Sequence, residues 1–499
     1  MKNLWLAVFF CFLLAGQAWG ATETFYVCHG GDGSLPETNA CGTAWDEADF
    51  NNADNWDTDD QDDGKIGPND EVLFLDDGGS FTADQLTIQS SGLSGKPITI
   101  KAASGDSPII DLDDSAKLGL RATEKDYLTI EDLEVRDCYG IRFSDCEHVT
   151  VDGVTTDNTY MAIMFQDGGG NNTVQNCTVQ DNVNNTGASG IVFYGSATNA
   201  LHDCSILDNT IEKEDAAESC HADGISVHRD ASLNDVGSNF TISGNTVSYC
   251  GGDNFDLTSG DYLTVENNIS HHPGTGWNYI TYHGTKHIIF RYNYTSEGQG
   301  IYIGGTSCEA DIYYNVIDTA GDKKALLVYQ GDDHEIYNNV FICAKTESDE
   351  CVRHIGAATV SVIFKNNIIY NETGNGILFK MSETDPDTCS WVSSNNCWYH
   401  SSGSSAELFS VDDGGDTTMT LATLASTYAG VSDTLFDNPD MSDVSSNDFQ
   451  LTAQSPCIDA GTDVSLTPCS ITSGGTISAT TTNDGLPDMG FEFVKSGGK

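Results

Sequence analysis

The stretch VENNI at residues 265–269 recurs in modified form along a large part of the chain. Each copy consists of an apolar residue, two variable residues, an asparagine and usually a second apolar residue. The other copies are FRYNY (290–294), IYYNV (312–316), IYNNV (336–340), FKNNI (364–368) and ISGNT (242–246), the last with a polar final residue. Their asparagines, spaced 22 to 28 residues apart, are Asn245, Asn268, Asn293, Asn315, Asn339 and Asn367. A repeat of this length indicates a solenoid in which each copy contributes one coil.

A second set of short segments follows the same period. Its members are YGIRF (139–143), SGIVF (189–193), DGISV (223–227), DNFDL (253–257), TGWNY (275–279), QGIYI (299–303) and NGILF (375–379). Short β-forming segments joined by glycine- and asparagine-rich turns are typical of a parallel β-solenoid. Asparagine suits an inward turn position because it tolerates unusual backbone angles and its amide can hydrogen-bond to stacked copies.

We therefore predict an all-β fold, a parallel β-helix of about ten or more coils with an asparagine ladder. Upstream, the ladder position is assigned to Leu133, Val154, Cys177 and Cys204. The pattern resembles that of right-handed parallel β-helix proteins of the pectate-lyase type, and this resemblance implies the right-handed winding. GPNDEVLFLDDGGSF (67–81) is similar to the opening of secreted β-helix enzymes, and SPCIDAG (455–461) is similar to the closing segment of bacterial ones.

The predicted organisation has four parts. They are a signal peptide at 1–20, an N-terminal cap region at 21–64, the parallel β-helix at 65–410 and a C-terminal closing segment at 411–499. The first part, MKNLWLAVFFCFLLAGQAWG, has a positive start, an apolar run and small residues at its end, as secretory signal peptides do. We expect a secreted, monomeric protein without membrane insertion, because no later apolar run is long enough to span a bilayer.

The net charge of −54 excludes two classes of partner. Nucleic acids and anionic membrane surfaces would both be repelled by 75 acidic residues set against 21 basic ones. An anionic substrate would need a local cation to offset the same repulsion.

The chain has 16 cysteines, of which Cys11 lies in the signal peptide. In an exported protein many cysteines are paired, although spacing alone does not fix the pairing. Short loops are closed by three candidate pairs, which are Cys343/Cys351, Cys389/Cys397 and Cys457/Cys469.

Polar residues cluster on one outward face of the predicted coils. Alternate residues of a strand face opposite sides of the sheet, so one column of outward positions runs along the second set of segments. Its consecutive polar members are Ser226, Asp256, Asn278 and Tyr302. A neighbouring column adds Asp223 and Asp253, and His228 faces outward beside Asp223.

Stacked carboxylates repel one another unless a cation lies between them. Ca²⁺ accepts several oxygen ligands in flexible geometry, so Asp223, Asp253 and Asp256 form a candidate calcium site. The alternative is a chance collision of carboxylates in a very acidic chain.

The same residues carry a second resemblance. HADGIS (221–226), followed one coil later by GDNFDL (252–257), is similar to the calcium-binding coils of family 9 polysaccharide lyases. The resemblance implies calcium ligands at Asp223, Asp253 and Asp256. It also implies a catalytic lysine one coil further on, where this chain has Asn278. Because an amide cannot accept a proton from a sugar carbon, the candidate bases become His228, Tyr302 and Lys286.

This resemblance implies a secreted lyase that cleaves an acidic, uronic-acid-containing polysaccharide by Ca²⁺-assisted β-elimination. Three alternatives remain open from the residues. A β-helix glycoside hydrolase would use a carboxyl pair such as Asp223 and Asp256. A C5-epimerase would share the proton abstraction, and a non-catalytic carbohydrate-binding surface protein would need no base.

Overall fold

The structure is a computed structural model. It describes residues 22–490 except for gaps at 60–62, 83–84, 115, 181–187, 197–199, 213–222, 230–236, 283, 306–307, 320–322, 332, 344–349, 356–360, 374–375, 383–389, 413–415, 465–468, 472–476 and 480–487. The predicted signal peptide lies outside the described residues. No helix within the described part of the chain has the length and apolarity that a membrane crossing requires.

Three long sheets run side by side along the chain, and nearly all their strand pairs are parallel. Sheet 1 consists of Thr24–Val27, Glu71–Phe74, Ile98–Ala102, Leu128–Glu131, Val149–Asp152, Gly169–Gly170, Thr173–Gln175, Leu201–His202, Ser205–Leu207, Gly237–Ser243, Ser259–Glu266, Gly284–Thr285, His287–Arg291, Glu309–Tyr313, Asp333–Tyr337, Ser361–Lys365, Ser390–Ser394 and Val431–Ser432.

Sheet 2 carries the candidate site. It consists of Leu86–Thr87, Leu120–Thr123, Ile141–Ser144, Met161–Gln166, Ser189–Gly195, Asp223–Arg229, Phe255–Asp256, Trp277–Thr281, Gln299–Ile303, Leu326–Val328, Glu350–Ile355, Ile377–Ser382, Phe409–Asp412 and Asp416–Met419. The last two of these strands pair antiparallel, which ends the parallel part of sheet 2.

Sheet 3 follows the asparagine positions. It consists of Ser80–Phe81, Ile109–Asp114, Glu134–Cys138, Thr155–Asp157, Thr178–Gln180, Thr210–Glu212, Thr246–Ser248, Ile269–His271, Tyr294–Ser296, Val316–Thr319, Val340–Cys343, Ile368–Asn371, Cys397–His400 and Leu435–Phe436. Each full coil therefore contributes one segment to each sheet in turn. The predicted parallel β-helix is confirmed.

The remaining elements are short. Two antiparallel pairs join Met441–Asp443 to Asp448–Leu451 and Cys469–Ile471 to Ile477–Ala479. The α-helices are Glu47–Asn51 and Leu421–Thr427, and the 3-10 helices are Cys41–Thr43, Ala53–Asn55 and Val444–Ser446. The strand Thr24–Val27 lies within the predicted cap region, yet it pairs in parallel with Glu71–Phe74 of sheet 1.

The core fills the interior of the coils with stacked side chains. Phe143, Phe165 and Phe193 occupy the same inward position on successive coils, with ring centroids 4.8 and 4.9 Å apart. Phe255 and Tyr279 form a second stack at 4.5 Å, in the inward column of Ile191 and Ile225, and both are fully buried. Period-two alternation places these rings inside and leaves the intervening residues on the outer face of sheet 2.

The predicted asparagine ladder is present. Asn293 is typical: its Nδ2 donates to the Val265 carbonyl at 2.9 Å and to Asn315 Oδ1 at 3.0 Å. Its own Oδ1 accepts the backbone N–H and the Nδ2 of Asn268. The residue with the left-handed backbone precedes the asparagine, as at Tyr292 with a φ of 59°. The ladder asparagine therefore satisfies the turn by hydrogen bonding rather than by adopting the unusual angle itself.

The upstream end of the ladder differs from the prediction. Asn209, within ILDNT (206–210), accepts the Cys177 N–H, so it holds the ladder position assigned to Cys204. Cys204 instead precedes the sheet 1 strand Ser205–Leu207. Downstream, Asn396 extends the ladder by accepting the Asn367 N–H at 2.8 Å.

Replacing Asn293 by leucine should destabilise the protein strongly. The substitution leaves the Val265 carbonyl and the Asn268 backbone N–H without their side-chain partner in the core, at a cost of about 1–3 kcal/mol for each orphaned group. It also removes one hydrogen bond each from Asn268 Nδ2 and Asn315 Oδ1. Denaturant unfolding should show a loss of at least ~3 kcal/mol. The exposed Asn438, replaced by leucine, is the matched control and should change stability little. An equal loss in both variants would contradict a structural ladder.

Two disulfides are present among the described cysteines. Cys343–Cys351 confirms one predicted pair, and Cys28–Cys41 was not predicted. The predicted pairs of Cys397 with Cys389 and of Cys457 with Cys469 are wrong, because both Cys397 and Cys457 are free thiols. Their thiols instead contact each other, between the last coils and the closing segment, and this hydrogen bond raises the pKa of Cys397.

Candidate functional site

Asp223 and Asp253 occupy equivalent positions on adjacent coils of sheet 2. The Asp253 backbone N–H donates to Asp223 Oδ1 at 2.9 Å, and the Trp277 N–H donates in the same way to Asp253 Oδ1. Each carboxylate thus accepts a backbone amide from the next coil. This contact fixes one oxygen of each side chain and leaves the other oxygen for further ligands.

Asp256 lies on the outer face of the same sheet, in register with Ser226. Although its side chain faces outward, it is only 10% exposed. Its Oδ1 has no hydrogen-bond partner, and neither does the buried Ser226 hydroxyl. Thr258 supplies hydrogen bonds to the Asp256 carboxylate. A buried carboxylate oxygen without a partner is costly, and this cost indicates a place where a ligand or cation could bind.

His228 lies beside Asp256 at the end of the strand Asp223–Arg229. Its Nε2 is 3.7 Å from Asp256 Oδ2, and the imidazole is 45% exposed. The ring stacks parallel to Tyr194 of the preceding coil at a centroid distance of 6.1 Å. One face of the imidazole is therefore held by packing, while its edge is directed at a carboxylate.

Burial raises the pKa of all three aspartates, and the charge of a neighbouring aspartate raises the pKa of Asp223 and Asp256 further. Burial raises the pKa of Asp223 most, and the charge of Asp256 raises it further. For Asp256 the causes are burial and then the charge of Asp253. Burial also raises the pKa of Asp253, against the lowering effect of the Trp277 amide. The cluster therefore resists carrying three negative charges near neutral pH unless a cation compensates them.

The three carboxylates are suitable ligands for a divalent cation, but their oxygen atoms are too far apart for one ion to contact all of them. Among the described residues, the only three metal-binding side chains with donor atoms all within 4.8 Å are Cys28, Cys41 and Asp77, and the first two form a disulfide. One of the three aspartates must therefore turn before a single ion contacts all of them. Such a rotation is favourable because the Oδ1 atom of Asp256 has no hydrogen-bond partner, and because a cation would offset the charges that raise the pKa of the cluster.

Stability should depend on pH through these carboxylates. A raised pKa in the folded state means that their contribution is present below the ordinary aspartate pKa and is lost as pH rises. Without divalent cations, the free energy of unfolding of the wild-type protein should therefore fall between about pH 4 and about pH 8, by about 1.4 kcal/mol for each unit of pKa shift.

The double variant Asp223→Asn/Asp256→Asn isolates this effect from the net charge of the whole chain. Thermal unfolding of both proteins across that pH range should give a difference that grows with pH and favours the variant. Parallel stability curves would contradict the raised pKa values.

Asn278 does not belong to the site. The prediction placed it in the Asp256 column, but Asp256 is in register with Ile280, and Asn278 is in register with Asn254 in the interior. Asn278 is fully buried, accepts the Ser270 hydroxyl at 2.6 Å and donates to the Gln299 carbonyl at 2.9 Å. Aligning the segments on glycine rather than on their shared asparagine-aromatic pair caused the two-residue error.

Tyr302 lies two coils from Asp256 in the same column, as predicted. Burial, followed by the neighbouring Tyr282 and Tyr329, raises its pKa well above the ordinary tyrosine value. Its ring contacts Trp277 at 5.4 Å and Tyr282 at 6.0 Å. These properties disfavour Tyr302 as a base and make it part of an aromatic surface.

Tyr279 points into the core, whereas Trp277 is partly exposed and lies in the Asp223–Asp253 column. Lys286 lies between the sheet 1 strands Gly284–Thr285 and His287–Arg291, so it is not on the sheet that carries Asp256. Among the candidate bases, His228 is the one that lies within ion-pair distance of Asp256.

Sequence reasoning missed Thr258, Ile280 and the outward orientation of Trp277. WNYIT (277–281) and DNFDL (253–257) share asparagine and an aromatic residue at their second and third positions, and this match was the available signal for the register. The role of Thr258 has no sequence signal, because it follows the strand in a segment without a repeat.

The fold and the column of outward residues define the class: this is a right-handed parallel β-helix protein. A family model described as the right-handed β-helix region matches residues 72–234. No curated protein sequence matches the chain.

Solved structures give distant matches to the fold. A mannuronic acid specific family 6 polysaccharide lyase from human gut microbiota is 16% identical over 70% of this chain and 87% of its own, with a TM-score of 0.47. The pectate lyase Pel9A is 16% identical over 95% of this chain and 98% of its own, with a TM-score of 0.40. PfbA, a surface adhesin of Streptococcus pneumoniae, is 12% identical over 70% and 86%, with a TM-score of 0.42.

Proposed function

We propose that this protein is a secreted polysaccharide lyase that cleaves an acidic, uronic-acid-containing glycan by β-elimination, with Asp223, Asp253 and Asp256 as ligands of a Ca²⁺ ion. The observation that carries the proposal is the contact between His228 and the buried carboxylate of Asp256. This contact supports a base and a cation site next to each other on one outward face. Titratable groups with perturbed pKa values cluster at functional sites, and this arrangement supports such a site here.

His228 acts as the general base in this mechanism. Its neutral imidazole takes the C5 proton of the uronate, and the electrons of that C–H bond form the C4–C5 double bond as the bond from C4 to the leaving oxygen breaks. Asp256 orients the ring through its contact with Nε2. The leaving oxygen takes up a proton from solvent.

When bound, Ca²⁺ would neutralise the uronate carboxylate and stabilise the negative charge that develops beside it. Asp223, Asp253 and Asp256 would hold the ion. Trp277 lies one coil from Asp253 and Tyr302 lies two coils from Asp256, and their partly exposed rings can stack against sugar rings.

A product assay tests the reaction. The purified protein, incubated with uronic-acid polysaccharides and CaCl₂, should form products with the ultraviolet absorbance of an unsaturated uronate, and EDTA should abolish the reaction. Uronate epimerisation without chain shortening would indicate an epimerase instead. Glycan binding without any chemical change would overturn the enzymatic proposal.

One observation favours a hydrolase as the second candidate. Asp223 and Asp256 both have raised pKa values, and a carboxyl group that stays protonated near neutral pH can act as a general acid. New reducing ends without the unsaturated absorbance would select this candidate over the lyase.

A further inference from the structure

Two arginines are stacked on the outer face of sheet 2, away from the aspartate cluster. Arg121 and Arg142 occupy equivalent positions on adjacent parallel strands. Adjacent strands are about 4.8 Å apart, so the two side chains leave the sheet as direct neighbours. Like charges in this arrangement repel each other, and burial together with the charge of Arg121 lowers the pKa of Arg142.

Neither of these arginines has an ion-pair partner among the described residues, although the chain carries 75 acidic side chains. Arg121 Nε donates to the Thr123 hydroxyl at 3.2 Å, and Arg142 Nε is buried without a hydrogen-bond partner. Asp167 exerts only a longer-range attraction on Arg142. Two stacked cations, one with an unsatisfied buried donor, carry a desolvation cost that no ion pair in the described structure offsets.

The other arginines with described side chains behave differently. Arg136 contacts Asp111 at 3.0 Å and Glu134 at 3.6 Å. Arg291 pairs with Glu266, and Arg353 lies 2.9 Å from Glu350. An arginine in this protein is thus ordinarily held by a carboxylate. The Arg121–Arg142 pair departs from this pattern in the one place where two arginines are adjacent.

Aromatic side chains lie beside the pair. Tyr139, just before the strand Ile141–Ser144, is close enough for Arg142 to lower its pKa, against the larger raising effect of burial. Its ring packs against Tyr160 at a centroid distance of 5.0 Å. A guanidinium pair bordered by partly exposed aromatic rings combines anion recognition with a surface for stacking sugar rings.

We propose that Arg121 and Arg142, with Tyr139 and Tyr160 beside them, form a binding site for the carboxylate or sulfate group of an acidic sugar. The anion would offset the repulsion between the arginines and accept the unused Arg142 N–H. The assignment to a glycan rests on the proposed function, whereas the anion site does not.

The site is separate from the catalytic cluster but shares its outward column. Arg142 and Asp256 are separated by four strand spacings, or ~19 Å, along one column of sheet 2. The positions between them in this column are Met164, Val192 and Ser226. Met164 and Val192 are buried, so the two sites are distinct on the surface. An extended acidic chain could reach both sites, and its contact with the arginines would then affect binding rather than the chemical step.

The experiment compares the full-length wild-type protein with Arg142→Gln and, as matched control, Arg136→Gln, which removes the same charge from a paired arginine. Isothermal titration at low ionic strength, in EDTA to silence the cation site, measures binding of uronate oligosaccharides and of sodium sulfate. Arg142→Gln should weaken oligosaccharide binding at least about tenfold, as loss of a charged hydrogen bond does, and Arg136→Gln should not. Thermal unfolding verifies that both variants are folded.

Each outcome separates this site from the lyase proposal. Arginine-dependent oligosaccharide binding without cleavage keeps the site and refutes the lyase. Cleavage with the same KM in wild type and Arg142→Gln keeps the lyase and overturns the site. Sulfate binding that is lost in Arg142→Gln, without oligosaccharide binding, overturns the assignment to a glycan. If wild type and Arg142→Gln bind sulfate and the oligosaccharides equally well, the anion site is overturned as well.

Discussion

Replacing Asp256 by asparagine is expected to reduce glycan cleavage by at least ~100-fold, the scale seen when one group that stabilises transition-state charge is removed. Asparagine keeps the shape of the side chain but removes the negative charge that would bind Ca²⁺ and orient His228. Initial rates with saturating CaCl₂ measure the loss. Calcium titration should show weaker binding in the same variant, because one of three anionic ligands is gone.

Asp318 provides a matched control for this substitution. It is a largely buried aspartate on sheet 3 whose pKa is raised to about 6 by burial and by Glu297, so Asp318→Asn makes the same chemical change outside the cluster. Cleavage and calcium affinity should be unchanged in Asp318→Asn. If Asp256→Asn kept full activity while losing calcium affinity, the ion would have no part in catalysis. If it kept both, the site would lie elsewhere.

The fold could be predicted from the sequence because the coil repeats under a single constraint. Every ladder asparagine must hydrogen-bond to the buried backbone groups of the same turn, so asparagine recurs once in each coil. The same requirement holds where the asparagine is missing. Cys177 occupies a ladder position, and its backbone N–H still donates to the Asn209 side chain of the next coil. The ladder therefore survives where the motif on one coil is lost.

The register of sheet 2 could be predicted only in part. Asp223 and Asp253 were placed correctly as neighbours because each lies two residues before an inward apolar residue, Ile225 or Phe255. Asn278 was misplaced because the interior of this coil is polar. Asn254, Ser270 and Asn278 form hydrogen bonds inside the β-helix. Asn254 and Asn278 each precede a buried aromatic residue, so alternation predicts that both face outward. A pattern of apolar residues cannot reveal an inward position that is occupied by an amide.

The chemical state of the site was beyond sequence reasoning for a different reason. Asp256 is outward by alternation, and an outward carboxylate is ordinarily solvated. Its burial, and the 3.7 Å approach of His228, depend on how the outer face of sheet 2 is covered. Residues without a repeat determine that covering, so the coil period contains no information about it.

Replacing His228 by alanine is expected to reduce kcat by about 10²- to 10⁴-fold, the contribution of a positioned general base. The substrate carboxylate would still bind the cation, so KM should change less than kcat. Added imidazole should restore part of the activity if the missing group is a base, because a small imidazole can enter the space left by the side chain. A residue with a purely structural role would show no such rescue.

The matched control for the base is Tyr302→Phe. It removes a hydroxyl from the same face, and the raised pKa of Tyr302 already disfavours that hydroxyl as a proton acceptor. Tyr302→Phe should therefore keep kcat within about twofold, since no proton transfer is lost. The reverse result, an inactive Tyr302→Phe and an active His228→Ala, would transfer the base to the tyrosine. It would also require a bound cation to lower the pKa of that hydroxyl, and the activity of wild type would then rise with pH until the tyrosine ionised.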